Sequence, residues 1–455
     1  METLTPQDAT RYWLSRRTCN DLFLLYCFDD TGLATADLRA AVAERSARIP
    51  DLSVRVRERR FAYPAWERCG FTDDQVIEHA LPAPTWPNVI AALGNLLPHG
   101  VRADRRAWRL HVFREVTGAP TAAAPALVAV LQLSHALADG QRAAAIARAL
   151  FTEDSRNEET DTEGSLSGGA RARAETAVVE AFSLVTFPVR LGRTVVRGFA
   201  AERARRELAE RTGRGEVAPP GPSFPPTLLN RPPAPVSHAV RMLVREDLRI
   251  PRFTVTVVVL TAVASALTRY LASRGEPEAD LLAQVSMALQ ARNGGPRNNY
   301  RDLGVELHGA EPDLRRRAER IAAGLELRRA RARHPLLRAQ DRVTAVLPAP
   351  VLRRDVATYP MDQVPDALGG HTVVSSVNRG PADLTFGGGP VRFTGGFPAL
   401  GAVMHLTHGV HGLGETVTVS VHADPAAIPD VDIYAGLLDT ALTEVVAALA
   451  PTAAE

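Results

Sequence analysis

The sequence predicts an α/β protein built from two halves. The chain has 455 residues, strand-like and helix-like segments mix in both halves, and a proline-rich connection lies between them. Because a single hydrophobic core stops growing beyond about 250–300 residues, a chain of this length is expected to divide. Hydrophobic residues make up 45% of the sequence and charged residues 23%, as in ordinary globular proteins.

The N-terminal half is expected to span residues 1–151. Apolar or alternating runs predict strands at Leu22–Phe28, Val54–Arg57, Trp108–Phe113 and Ala126–Leu133. Thr35 is the expected N-cap of a helix that ends before Pro50, and residues 141–151 have the apolar spacing of a second helix.

Residues 152–236 are expected to connect the halves. Residues 152–170 are acidic, rich in Ser, Thr and Gly and poor in large apolar side chains, which predicts a mobile loop. Residues 171–213 have helical composition, and the repeated prolines of residues 218–236 predict an extended crossover. The connection therefore marks the predicted domain boundary.

The C-terminal half, residues 237–455, again mixes strands and helices. Strands are expected at 240–244 and 282–288 and in the glycine-rich stretch 371–422, and helices at 256–273, 313–332 and 429–449. Val255–Leu267 is the most apolar window, and this stretch is too short to cross a bilayer.

Composition excludes several classes of function. The sequence contains no lysine, so Schiff-base chemistry, pyridoxal phosphate anchoring and the P-loop lysine are excluded. The formal net charge is only +2, which gives no overall attraction to nucleic acid. Three widely spaced cysteines, Cys19, Cys27 and Cys69, fit neither a disulfide framework nor a zinc site. With an N-terminus that lacks a secretory signal pattern, they predict a cytoplasmic protein with reduced thiols.

The most informative segment runs from Leu131 to Gly140 and contains His135 and Asp139. It lies between an apolar strand and a helix, a turn that can hold an imidazole rigidly, and Gly140 permits close backbone approach. Histidine has a pKa near working pH, as a general base needs. Asp139 is better placed to anchor the turn, through an arginine or through backbone amides. Considered alone, the motif fits a core histidine at a strand end equally well.

At these residues the sequence resembles the HHxxxDG acyltransferases, and among them the bacterial wax ester synthase/diacylglycerol acyltransferase family. Segments in family order extend along nearly the whole chain: Leu4–Asp8, Ile49-Pro50, Pro64–Trp66, Phe71–Asp74, Asp104–His111, Ser134–Gly140, Val255–Leu267, Val285–Met287, Asn298-Asn299, Ser375–Pro381 and Pro429-Asp430. Ordered agreement across both halves is more specific than any single motif.

The resemblance implies two chloramphenicol-acetyltransferase-like subdomains, mixed sheets flanked by helices, with a substrate tunnel at their interface. It also implies an acyl-CoA-dependent O-acyltransferase in which His135 acts as general base on an acceptor hydroxyl. Acyl-CoA would be a co-substrate, with no cofactor, metal or covalent acyl-enzyme. Ser134, Asp139 and Gly140 would support the motif, and the expected tunnel residues are Trp108, Ser286, Asn299 and Ser376.

The sequence departs from the family pattern at two places. Ser134 stands where the motif has its first histidine, and Thr256-Val257 replaces an Asn-Asp pair. These changes favour a specialised acceptor such as a hydroxylated natural product. Two alternatives stay open: an acyltransferase that takes its acyl group from a carrier protein, as condensation domains do, and a non-catalytic binding protein of the same fold.

Two further groups of residues have alternative interpretations. His405, His408 and His411 are spaced by three, but a strand would turn neighbours in this spacing to opposite faces, so a metal site is not expected. The arginines at 315–317 and 328–333 could bind CoA phosphates or anionic lipid headgroups, although such arginine-rich helices are usually solvated faces. Peripheral contact with the inner face of the membrane therefore stays open.

Overall fold

A computed structural model describes residues 2–122, 124–152, 187–232, 237–276, 280–289 and 295–451. The expected mobile loop falls almost entirely outside these residues, as do four residues of the expected crossover, 233–236. The structural statements below concern the described residues.

The helices of the described chain are α1 Pro6–Leu14, α2 Thr35–Arg48, α3 Trp86–Leu96, α4 Gly140–Phe151, α5 Phe187–Gly213, α6 Val255–Ser273, α7 Leu314–Ala332, α8 Pro335–Thr344, α9 Ala349–Thr358 and α10 Val431–Leu449. The strands are β1 Glu2–Thr3, β2 Leu22–Asp29, β3 Val54–Arg57, β4 Ala65–Arg68, β5 Val76–Glu78, β6 Trp108–Val116, β7 Ala126–Leu133, β8 Ala239–Arg245, β9 Leu282–Ala288, β10 Tyr300–Glu306, β11 Thr372–Asn378, β12 Thr385–Phe386, β13 Gly389–Gly396, β14 Leu406–Leu413 and β15 Thr416–Ala423.

The first large sheet has the strand order β12-β13-β2-β7-β6-β5. Strand β7 lies at its centre, and all eight of its residues are buried, as the continuous apolar run predicted. Its neighbours β2 and β6 both run antiparallel to it. The predicted strands at Leu22–Phe28, Trp108–Phe113 and Ala126–Leu133 are therefore confirmed.

The second large sheet has the order β10-β9-β11-β14-β15-β8 and belongs wholly to the C-terminal half. Strand β11 runs parallel to both β9 and β14, so the sheet is mixed. Helices α6, α7 and α10 pack around one large apolar core with this sheet. Helix α6 has the length and apolar composition of a membrane span, but 72% of that window is buried in this core.

A hairpin of the C-terminal half completes the first sheet. Strand β13 pairs antiparallel with β2, and β12 pairs with β13 at the edge. Gly389, at the start of β13, lies so close to β2 that an added Cβ would be 1.9 Å from the carbonyl oxygen of Asp29. The two halves therefore share a hydrogen-bonded ladder.

Strand β3 and helix α2 form near the predicted positions, but the local structure around each differs from the prediction. Strand β3 forms as expected at Val54–Arg57, but it joins a small third sheet of order β1-β4-β3. Thr35 is not the N-cap of α2: the helix begins at Thr35, and Ala34 occupies the cap. The Thr35 hydroxyl instead accepts a hydrogen bond from the Arg114 guanidinium at 3.2 Å, so no side chain caps this helix.

Candidate active site

A cavity of about 630 Å³ lies between the two halves, and we call it the central cavity. The N-terminal half contributes residues of α1, the loop before β2 and the loop between β7 and α4. The C-terminal half contributes residues of β9, β10 and β11 and the segment 398–402. The lining residues include Arg11, His135, Asp139, Gly140, Ser286, Tyr300, Ser376, Arg329 and Arg333.

His135 lies in the turn that joins the end of β7 to the start of α4. The turn is closed by backbone hydrogen bonds, from the Ser134 amide to the Ala107 carbonyl and from the Leu137 amide to the Ser134 carbonyl, both 2.8 Å long. The Ser134 side chain is buried, and its hydroxyl accepts from the Ala136 amide at 3.4 Å. Ser134 thus stabilises the turn and does not line the central cavity.

Asp139 anchors the motif through backbone amides of both halves. Its Oδ1 accepts from the Arg142 amide at 2.9 Å, as the N-cap of α4, and its Oδ2 accepts from the Asn299 amide at 3.0 Å. The Arg142 guanidinium pairs with Asp51 instead. Gly140 follows at the helix start, where an added Cβ would be 3.0 Å from Val377 Cγ2 on β11. The motif therefore sits tightly against the second sheet.

The imidazole of His135 is half-buried and faces Tyr300 of β10. The two rings are stacked, with centroids 5.9 Å apart and planes 18° apart, and Nε2 lies 3.4 Å from the Tyr300 hydroxyl oxygen. The Arg11 guanidinium lies over the ring of Tyr300, 5.2 Å from its centroid. Nδ1 is buried and makes no hydrogen bond within the described residues. Nε2 is therefore the ring nitrogen that faces the hydroxyl of Tyr300, which also lines the central cavity.

The surroundings keep His135 neutral. Burial lowers its pKa to about 4, and the positive charge of Arg11 acts in the same direction. Burial also raises the pKa of Tyr300 to about 12, so its hydroxyl keeps its proton. The pair presents one ring nitrogen that can accept a proton and one hydroxyl that can donate a hydrogen bond.

A clamp of polar residues joins the histidine turn to the segment before β10. Asn298 donates from Nδ2 to the carbonyl oxygen of His135 at 2.7 Å, and its backbone amide donates to Asp8 Oδ1 at 2.9 Å. The Arg297 guanidinium donates to Asp51 at 2.7 Å and stacks over Trp66. Asp8 and Asn298 both belong to segments of the family resemblance, but sequence reasoning missed that they meet.

Two of the four predicted tunnel residues line the central cavity, and two do not. Ser286 and Ser376 line the central cavity, where the Ser286 hydroxyl donates to Asp302 at 2.7 Å. Trp108 does not line it: its ring is buried in the core of the first sheet, and Nε1 donates to the Leu52 carbonyl at 2.8 Å. Asn299 lies behind the wall, because its side chain turns to the Leu289 carbonyl at 3.0 Å.

The departure at Thr256-Val257 has a structural counterpart. The Thr256 hydroxyl donates to the Ser376 hydroxyl at 3.1 Å, while Val257 is buried in the apolar core. At the first position of the pair, Thr256 thus keeps a polar contact with Ser376 of the cavity wall. At the second position, Val257 contributes only apolar packing.

The three spaced histidines do not converge on a common site. His405 contacts Asp424, and His408 contacts Thr372 and Tyr434. His411 Nδ1 is buried and has no hydrogen-bond partner in the described part of the chain. Among the described residues, no group of three or more His, Cys, Asp or Glu side chains is placed to hold a metal ion.

Of the seven arginines at 315–317 and 328–333, Arg316 is exposed and the other six form two sets. Arg315, Arg317, Arg328 and Arg331 donate to backbone carbonyls and so serve the fold. Arg329 and Arg333 instead line the central cavity, and Arg329 also pairs with Glu326.

Comparison with known proteins bears on the fold. No family model matches the sequence, and no curated protein matches it. Among solved structures, a wax ester synthase/diacylglycerol acyltransferase from Marinobacter aquaeolei VT8 is 17% identical with a TM-score of 0.61, and the match covers 98% of each chain.

Condensation domains are similar over comparable lengths. The first condensation domain of the calcium-dependent antibiotic synthetase is 16% identical with a TM-score of 0.59, over 99% of this chain and 97% of that one. The starter condensation domain of rhizomide synthetase, in complex with C8-CoA and Leu-SNAC, is 14% identical with a TM-score of 0.56, over 99% and 95%. The expected fold is thereby confirmed: this chain has the condensation-domain and chloramphenicol-acetyltransferase-like fold of a wax ester synthase/diacylglycerol acyltransferase.

Proposed function

We propose that the protein transfers an acyl group from a thioester to an acceptor hydroxyl, with His135 as the general base. One observation carries the proposal: a neutral imidazole stands at the seam of the two halves with Nε2 toward a cavity of about 630 Å³. A core histidine at a strand end would have no such cavity beside it. General bases act from within hydrogen-bond reach of the proton they take, and a cavity lets two substrates meet there.

The proposed reaction is a single displacement. His135 Nε2 takes the acceptor O–H proton as the oxygen attacks the thioester carbonyl carbon. The C–S bond then breaks, and the imidazolium returns the proton to the thiolate, leaving an ester and a free thiol. The Tyr300 hydroxyl, 3.4 Å from Nε2, is placed to donate a hydrogen bond to oxygen that gains negative charge during the attack.

The nature of the donor follows from two supporting observations. The similar rhizomide synthetase domain was solved with C8-CoA, an acyl thioester. In this chain, Arg329 and Arg333 line the cavity, and guanidinium groups suit the phosphates of CoA. We therefore propose free acyl-CoA as the donor, and a hydroxylated small molecule as the acceptor.

The test is a screen for thiol release. Purified protein is incubated with acyl-CoAs of graded chain length and a mixture of alcohols, and free thiol and ester are both quantified. We expect acceptor-dependent thiol release that falls at least 100-fold in His135→Ala, since general bases typically contribute 10²–10⁴-fold. Turnover that survives this substitution would overturn the assignment of His135.

A matched control is His308→Ala. His308 is a partly exposed histidine that pairs with Glu306 and does not line the central cavity, so its replacement should leave turnover unchanged. Turnover with a carrier-bound acyl group but not with acyl-CoA would move the assignment to a condensation-type enzyme. Ligand binding without turnover would identify a non-catalytic binding protein.

A further inference from the structure

A second cavity of about 400 Å³ lies beside the central one. Six residues line both cavities: Thr18, Met361, Ala399, Leu400, Gly401 and Ala402. The second cavity is otherwise formed where the ends of β2, β8, β14 and β15 meet, so both halves contribute to it. Its apolar wall includes Phe23, Leu97 and Phe397.

His238, which lines this cavity, has a protonation state fixed by its neighbour. His422 Nδ1 lies 2.8 Å from the Pro398 carbonyl oxygen, so this nitrogen must donate and His422 Nε2 must accept. The donor to His422 Nε2 is His238 Nδ1, 2.6 Å away. Burial lowers the pKa of His238 to about 4, which keeps the ring neutral. Its Nε2 therefore carries a lone pair, and no described residue donates to it.

Asp21 presents a second acceptor to the same cavity. The residue is only 2% exposed, and its Oδ2 accepts from the Val101 amide and from Gln132 Nε2, both at 2.7 Å. No described group donates to its Oδ1, although Asp21 forms part of the cavity wall. Burial raises the pKa of this carboxyl to about 7, so at pH 8 it is mostly ionised and acts only as an acceptor.

The other ionisable groups around this cavity already have partners. His405 contacts Asp424 at 2.9 Å through Nδ1 and the Arg231 carbonyl at 3.0 Å through Nε2. Arg17 donates to the Val356 carbonyl at 2.6 Å. Asp21 Oδ1 and His238 Nε2, two acceptor atoms on residues of the cavity wall, thus receive no hydrogen bond from the described residues. A molecule that satisfies them has to bring O–H or N–H donors.

We propose that the second cavity binds a hydroxyl or ammonium group of the acceptor, remote from the hydroxyl presented to His135, through Asp21 and His238. The inference rests on the proposed function, because it assigns the acceptor of the same reaction. The shared wall at 399–402 places the two cavities side by side, so one elongated molecule can reach both. The acceptor class is therefore a diol, polyol or amino alcohol with an apolar middle, which suits Phe23, Leu97 and Phe397.

Asp21→Asn provides a sharp test because it reverses one hydrogen-bonding role. The Val101 amide and Gln132 Nε2 both require an acceptor, so they hold the asparagine oxygen in the place of Oδ2. The asparagine NH₂ group then faces the cavity in place of Oδ1. A donor replaces an acceptor with almost no change in shape.

The probes are 1-octanol, 1,8-octanediol and 8-amino-1-octanol, titrated calorimetrically at pH 8 into protein without acyl-CoA. The measured quantity is the ratio of the 1-octanol Kd to the Kd of each bifunctional probe, so general losses cancel. We expect Asp21→Asn to lower this ratio at least tenfold for 8-amino-1-octanol, because an ammonium group can only donate. The ratio for 1,8-octanediol should fall less, because a hydroxyl can also accept a hydrogen bond from the asparagine NH₂ group. A fall for the amino alcohol alone assigns an ammonium group, and a fall for both probes assigns a hydroxyl.

Two controls separate failure of this inference from failure of the proposed function. Asp37→Asn, at an exposed carboxylate outside both cavities, should leave the ratios unchanged. Binding is also measured in His135→Ala, where the ratios should equal those of the unaltered protein even though turnover is lost. Equal ratios before and after Asp21→Asn would overturn the inference, whatever the outcome of the turnover assay.

Discussion

Asn298 donates a hydrogen bond from Nδ2 to the carbonyl oxygen of His135 at 2.7 Å, and thereby ties the second half to the turn that holds the imidazole. The same amide nitrogen lies 3.0 Å from Asp8 Oδ1. We expect Asn298→Ala to lower the free energy of unfolding by about 1–3 kcal/mol, because it removes a donor from two buried acceptors. The rate of the proposed acyl transfer should fall as well, because Asn298 no longer fixes the turn that holds His135. Urea unfolding and thiol release measure the two effects.

Asn88→Ala is the matched control for that change. Asn88 Nδ2 also donates to a backbone carbonyl, that of Ala83 at 2.8 Å, but on the surface. Its loss should change the free energy of unfolding by no more than about 0.5 kcal/mol. Equal changes in the free energy of unfolding for the two substitutions would show that the contact between Asn298 and His135 stabilises the fold no more than a surface hydrogen bond does.

Tyr300→Phe removes the hydroxyl 3.4 Å from His135 Nε2 and keeps the stacked ring. We expect kcat/KM to fall about five- to tenfold, as for the loss of one hydrogen bond of about 1 kcal/mol, with little change in stability. Tyr63→Phe is the control, because the Tyr63 hydroxyl donates to the Leu347 carbonyl away from the central cavity. The role of Tyr300 fails if both variants keep full kcat/KM.

The low pKa of His135 predicts an acid-tolerant reaction. A general base works only when deprotonated, so activity is lost as the pH falls through its pKa, which burial and Arg11 lower to about 4. We expect kcat/KM to stay level from pH 8 to pH 6 and to fall toward pH 4. Circular dichroism at each pH checks that the fold persists. A midpoint near 6.5, the ordinary value for histidine, would contradict the described environment.

Buried neutral histidines also predict acid destabilisation. Burial lowers the pKa to about 4 in His111, His238 and His408 and to about 3 in His422. Between pH 6.5 and pH 4 the unfolded chain therefore binds more protons than the folded one, so the free energy of unfolding falls as the pH falls. Thermal unfolding should show Tm decreasing steadily over this range, and a constant Tm would refute the prediction.

Gly389→Ala tests the hairpin that crosses between the halves. An added Cβ would lie 1.9 Å from the Asp29 carbonyl oxygen, so β13 has to move away from β2. We expect a loss of at least about 2 kcal/mol in the free energy of unfolding. Gly70→Ala, where an added Cβ meets nothing within 4 Å, should be nearly neutral. Comparable stability of both variants would show that the ladder adapts.

Local patterns predicted most elements, because they depend on neighbours in sequence. The apolar run at Ala126–Leu133 and the helix predicted at 313–332, which forms at Leu314–Ala332, are examples. The apolar run before it also predicted that His135 follows a central strand, and β7 ends at Leu133. The catalytic role of His135, which the family resemblance implies, stays a prediction.

Contacts between distant segments could not be read from the sequence. Trp108 follows the motif spacing of the family, yet its indole lies in the core, because a strand turns alternate residues to opposite faces. Asp21 precedes β2 and His238 precedes β8, and nothing in either segment indicates that they face one cavity. Such juxtapositions depend on how the sheets pack, which local periodicity does not determine.

The ladder between β2 and β13 restricts how the molecule can move. A hinge motion that separated the two halves would have to break the backbone hydrogen bonds between these strands. Two domains joined only by a flexible linker have no such hydrogen bonds to break, so their separation costs less free energy. In the proposed reaction, substrates therefore reach His135 while this ladder keeps the two halves joined. The dimensions of the central cavity, about 630 Å³, and not a large rigid-body opening, then limit the size of the molecules that can react under this proposal.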